Sequence, residues 1–222
     1  MVHKSSILFI NRAHAAQQLI SRLRNYRNTD CCIISTSNGG VVIGNHVARG
    51  LNADLVFIPS ERITHPSNPR KSLGVVGLDY VASDGFDRDI PQDFIYRRSR
   101  AIQSELSSRY PHAHSPFTSN FQDRTIIFID DSLQTHDETL GCLRVVRRQQ
   151  PKKIIVAAPV ISDDAAEAIK READSVVFLH VVSEDSLNNA YLDFDPISDE
   201  EVPELMDLAM EEIVVDEISR QN

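Results

Sequence analysis

The sequence predicts an α/β fold: a doubly wound parallel sheet flanked by helices, with an acidic helix at its C-terminal end. Short apolar runs alternate with helical patterns from residue 30 to residue 180, the order that successive βαβ units produce. The runs are continuous, as in Ile126-Ile127-Phe128-Ile129, so both faces of those strands should be covered by helices. Two of the runs end in polar residues that pass directly into a helical pattern. In a parallel sheet that junction lies at the strands' C-terminal ends, where ligands bind.

Taken in order, Asn11 caps a helix running to about Tyr26, with Ala15, Leu19, Leu23 and Tyr26 on one face. Asp30-Cys-Cys-Ile-Ile-Ser-Thr36 reads as a buried strand. A turn, Ser37-Asn38-Gly39-Gly40, and a helix over residues 41–51 follow, and Asp54 to Ile58 form the next strand. Residues 59–72, with three prolines and the basic cluster Arg62, Arg70 and Lys71, read as a loop, and 72–80 as a strand. A helix is expected over 91–110 with Phe94 or Ile95, Ile102 and Leu106 inward, then a polar loop carrying His112 and His114.

The central stretch runs from Arg124 to Thr139. Its strand ends at Asp130 and Asp131, and the turn from Ser132 enters a helix with Leu140, Leu143 and Val146 or Arg147 on one face. A polar turn at a helix N-terminus favours anions, because the first-turn N–H groups lack intrahelical partners and carry the positive end of the dipole. Thr135 can add a donor there, and two adjacent acids can hold hydroxyls or a hydrated Mg²⁺. Further on, 153–158 is a strand, 163–172 an amphipathic helix and 175–180 the last strand. Ser198 and Glu201 make a capping box for a helix carrying Val202, Leu205 or Met206, Ala209 and Ile213 on one face.

Two acids ending a buried strand, a short turn and a Thr resemble the pyrophosphate-ribose binding motif of type I phosphoribosyltransferases. The resemblance covers roughly residues 11 to 202. It implies that Asp130 and Asp131 are the catalytic pair that holds the ribose hydroxyls of phosphoribosyl pyrophosphate (PRPP), meeting Mg²⁺ through that substrate. It implies further that Ser132, Leu133, Gln134, Thr135 and His136 cradle the 5′-phosphate. Ser37-Asn38-Gly39-Gly40-Val41 is similar to the Pro-Arg-Gly-Gly-Val of one subgroup, so Asn38, Gly39 and Gly40 fall at the pyrophosphate loop. Arg62, in a segment that shares Asn68-Pro69 with that subgroup, and Tyr191, in the aromatic stretch before Ser198-Asp-Glu-Glu-Val202, complete the implied substrate-binding set. The resemblance also implies a nitrogen nucleophile, a base or an amine, as the acceptor.

This chain departs from the family at four places. Asn38 replaces the Arg, Ser132 and His136 replace glycines, and Asp137 with Glu138 put carboxylates where a dianionic phosphate would sit. At ~4 Å and an effective dielectric near 20, each such carboxylate costs on the order of 4 kcal/mol before screening. A family member that keeps the fold as a binding or interaction module is therefore the alternative to an enzyme.

Composition frames these expectations. The chain has 222 residues, 41% of them hydrophobic, enough for one domain, here expected over 1–198 with an acidic tail over 199–222. Net charge is −9, yet nine acids and no Lys or Arg lie between Asp199 and Glu217; without those nine, 23 acids face 23 basic residues. The body is neutral, which argues against a nucleic-acid partner. No apolar run has transmembrane length, and three cysteines make neither a disulfide framework nor a zinc site. A cytoplasmic homodimer is the expectation.

Overall fold

In the computed structural model, described over residues 7–83, 89–111, 113–134, 137–183 and 189–208, five parallel strands form the central sheet. The elements are α1 (Arg12–Leu23), β1 (Cys31–Ser35), α2 (Asn38–Leu51), β2 (Asp54–Phe57), β3 (Ser60–His65), β4 (Asn68–Gly77), β5 (Val81–Ala82), α3 (Gln92–Arg109), β6 (Thr125–Ile129), α4 (Asp137–Arg147), β7 (Lys153–Ile161), α5 (Asp163–Lys170) and β8 (Ser175–Val181). Residues 201–208 are helical. Among the described residues no helix is long and apolar enough to cross a membrane.

The sheet order is β2-β1-β6-β7-β8. Chain order therefore reverses direction between β1 and β6, and the crevice outside the ends of those two strands is the topological switch point where such sheets bind ligands. β1 and β6 are buried along their whole length, as continuous apolar runs require. One face packs α1 and α2 against Ile33, Ile127 and Ile155; the other packs α4 and α5 against Ile34, Phe128 and Val156. Each such side chain contributes roughly 1.5–3 kcal/mol of burial.

The stretch read as a loop over 59–72 is instead most of an antiparallel hairpin, β3 with β4, completed by β5. Its periodicity is broken by register shifts at Ile63/Thr64 and Thr64/His65, and Pro66 sits in the turn while Pro69 opens β4. This small sheet packs Ile63, Leu73 and Val76 on Ile95, Ile102 and Leu106 of α3, the inward face that the spacing predicts. Helix α2 begins at Asn38 rather than Val41, because Ser37 caps it by accepting from the Gly40 N–H. The C-terminal helical residues dock on the body: Val202 is buried, and Asn45 of α2 donates to the carbonyl of Leu205.

The cysteines are core residues. Burial pushes the thiols of Cys32 and Cys142 up to about 12, well away from the range of a reactive thiolate.

Candidate functional site

The site lies at the switch point and is built on the N-terminus of α2. Ser37 ends the β1 turn, caps α2, and donates from Oγ to Asp130 Oδ1 at 2.7 Å. One hydroxyl thus ties the start of α2 to the end of β6. The N–H groups of Asn38 and Gly39 in the first turn have no partner among the described residues, which leaves an anion-binding helix end beside the two acids. The glycines permit the approach. A Cβ on Gly39 would collide with the Asp131 carboxylate; one on Gly40 would strike Ser35 Oγ and stand 2.8 Å from the Ile129 carbonyl oxygen.

Asp130 and Asp131 are held differently. Asp130 is half-buried, and its Oδ1 accepts both from Ser37 and from the Asp131 N–H at 2.8 Å. Burial first, and then the neighbouring Asp131 carboxyl, raise its pKa well above the ordinary carboxylate range. Asp131 is only 7% exposed. Arg12, from the first turn of α1, donates to its Oδ2 from Nε at 2.8 Å, and Tyr191 donates to its backbone carbonyl at 2.6 Å.

A cavity of about 470 Å³ opens over this pair. The α2 turn forms one wall, Phe57, Leu106 and Tyr110 another, and Glu138 and Thr139 of α4 a third. Its charged lining, among the described residues, is two cations, Arg12 and Arg109, against the carboxyl groups of Glu61, Asp130, Asp131 and Glu138. Arg109 is itself paired with Glu61 at 2.8 Å. An anionic ligand there would meet the N-terminus of α2 and paired guanidinium groups together with excess carboxyl, and a divalent cation brought with it would correct the balance. No group of three or more His, Cys, Asp or Glu gathers to cage a metal among the described residues.

The expected site residues are distributed as follows. Asn38, Gly39, Asp130, Asp131, Ser132 and Gln134 line the cavity. Asn38 nevertheless spends its side chain elsewhere, donating to the Ile197 carbonyl at 3.2 Å and to Asp199 at 2.9 Å while accepting from Tyr110. Gly40 gives its N–H to the Ser37 cap. Leu133 is a core side chain, bridged through its backbone to β7, so only its backbone can serve a ligand. Thr135, His136 and His112 lie outside the described residues. Arg62 stands on β3 beside Asp137, 3.9 Å away, outside the cavity lining.

Tyr191 is 4% exposed, stacks on Phe194 with ring centroids 4.7 Å apart, and supports Asp131 from behind. Arg12, Ser37, Tyr110 and Arg109 are the residues that sequence reasoning missed. Arg12 lies 119 positions from Asp131, and no local pattern carries such a pairing. Ser37 alone had a signal, a hydroxyl three residues before a helical Gly.

No family model matches the chain. Two curated Mycobacterium tuberculosis proteins, from strains CDC 1551 and H37Rv, each named "Putative phosphoribosyl transferase", are 25% identical to it over 212 residues, covering 91% of this chain and 47% of theirs. The chain thus spans about half the length of the curated relatives it matches. The crystal structure of TT1426 from Thermus thermophilus superposes with a TM-score of 0.76 at 27% identity, covering 89% of this chain and 97% of that one.

Proposed function

We propose that this chain, which resembles the type I phosphoribosyltransferases in motif and fold, moves a phosphoribosyl group from PRPP to a nitrogen nucleophile with Mg²⁺. One observation carries the reading. Two adjacent carboxyl groups at the end of β6 share the switch-point cavity with the free first-turn N–H groups of α2. That pairing suits a ligand with vicinal hydroxyls at one end and an anionic group at the other.

In this reading Asp130 and Asp131 accept from the ribose hydroxyls, and Arg12 holds Asp131 in place to do so. The Asn38 and Gly39 N–H groups meet the pyrophosphate, and the turn from Ser132 meets the 5′-phosphate. Mg²⁺, met by Asp130 and Asp131 through the substrate, would supply charge neutralisation to the pyrophosphate; the C–O bond to that leaving group breaks as the C–N bond to the acceptor forms. The chain needs no covalent nucleophile. Its contribution is positioning: fixed donors and acceptors hold the reacting carbon in line between acceptor and leaving group. Phe57, Leu106 and Tyr110 form the apolar wall that keeps water from that carbon.

A second reading, a ligand-binding or interaction module that keeps the fold without the transfer, is favoured by Glu138. Its place in the cavity lining sets a carboxylate against any bound phosphate. Calorimetric titration with PRPP, with and without Mg²⁺, tests whether the site takes that ligand, and release of pyrophosphate on adding a nitrogen acceptor separates transfer from binding alone. Micromolar binding that requires Mg²⁺ is expected; no heat at millimolar ligand under either condition would establish the second reading instead.

A further inference from the structure

We propose that β8 is a pairing edge at which a second copy of this chain adds its own β8, antiparallel, across a twofold axis. The two edges of the central sheet are unlike. β2 is four residues long, and Asp54 at its start is paired with Arg124 at 2.5 Å; shortness and charge are the usual guards of an open edge. β8 is seven residues long, Ser-Val-Val-Phe-Leu-His-Val, with no Lys, Arg, Asp, Glu, Pro or Gly in it.

Its outer side faces no other strand among the described residues. β7 takes one side of β8, and no hydrogen bond to the other side is found among the described residues. The N–H groups of Asp174 and Val182, just beyond the two ends, both point to β7, at the carbonyls of Ile154 and Ile161. Alternation along the strand then turns the N–H and C=O groups of Ser175, Val177, Leu179 and Val181 outward.

That register is self-complementary. A twofold axis at Phe178 sets Val177 opposite Leu179 of the partner subunit and Ser175 opposite Val181 of the partner subunit, every pair joining two residues with outward-facing groups. An isologous contact brings each residue near its own kind, so a charged edge would repel itself while this uncharged one does not. The apolar surface also continues past the strand. Val181 is 42% exposed, and Phe9, whose ring lies 5.7 Å from that of His180, is flanked by Ile7 and Ile10 at 57% and 58% and is hydrogen-bonded to Leu192 at 66%. Such a patch beside an unguarded edge marks an interface.

The experiment is sedimentation velocity on the full chain and on two variants, with amide exchange read in parallel. Val177→Pro removes an outward N–H and no bond of the sheet; Val181→Lys adds like charge at an already exposed position. The expected result is a dimer for the parent chain and at least a tenfold weaker dimer for both variants. In the parent chain, the amides of 175, 177, 179 and 181 should lose protection on dilution. If Val177→Pro fails to fold, Val181→Lys decides. A monomeric parent chain, or a dimer that Val181→Lys leaves intact, would overturn the proposal, and neither outcome touches the PRPP titration.

Discussion

At neutral pH the fold keeps Asp130 and Asp131 side by side and largely out of water, a costly arrangement that a purely structural strand end does not need. Burial and the neighbouring carboxyl raise Asp130. A group raised on folding contributes stability below the ordinary carboxylate range and loses it as pH rises through the raised value. Asp130→Asn should therefore melt higher than the parent chain, by more at pH 7 than at pH 4; equal shifts at the two pH values would contradict the burial account. Arg12 acts in the opposite sense. It compensates Asp131, stacks on Phe194 with its guanidinium carbon 4.0 Å from the ring centroid, and donates to the Asp195 carbonyl. Arg12→Ala should lose ~3 kcal/mol in denaturant unfolding, because it leaves a buried charge unpaired. Adding Asp131→Asn should restore part of that loss, and no recovery would mean that packing rather than charge made the difference. The two α4 carboxylates also divide. Asp137 faces Arg62 while Glu138 lines the cavity, so Glu138→Gln should tighten Mg²⁺-PRPP binding several-fold by calorimetry and Asp137→Asn should leave it unchanged.

Among the elements, α2 decides the geometry of the site. It starts one turn earlier than its apolar pattern suggests, and that extra turn, Asn38-Gly39-Gly40, faces the acids. Ser37→Ala should cost about 1 kcal/mol by loss of the cap and should weaken PRPP binding as Asp130 loses its hydroxyl donor. Gly39→Ala should displace the Asp131 carboxylate, at ~1–3 kcal/mol for overpacking, with ligand affinity falling further than stability does. Crystal or solution structures of either variant with the acids unmoved would count against this account. The strands were legible in sequence because a buried parallel strand is a continuous apolar run. The hairpin β3-β4 was not, because its bulged register and prolines imitate a loop.

Across the whole molecule, the C-terminal segment closes on the site. Arg12 binds the Asp195 carbonyl, Asn38 binds the Ile197 carbonyl and Asp199, and Tyr110 donates to Asp199 as well. Hydrogen bonds from Tyr110 and then Asn38 lower the pKa of Asp199, so this tether is complete at and above the ordinary carboxylate range and loosens as pH falls below it. Amide exchange in residues 201–208 should accelerate on acidification, and Asp199→Asn should abolish that pH dependence; persistence of the dependence in the variant would assign it to another group. The position that the subgroup pattern gives to Arg is in this way used, as Asn38, to fasten the last segment over the cavity.

The sequence by itself determined the sheet, the helices that cover it and the acids at the end of β6, because strand burial, helix periodicity and strand-end turns are written in residues a few positions apart. Only the tertiary structure decided which groups meet those acids. Arg12, Ser37 and Tyr191 come from three parts of the chain far apart in sequence. Their convergence follows from the reversal of strand order between β1 and β6, and no local spacing encodes it.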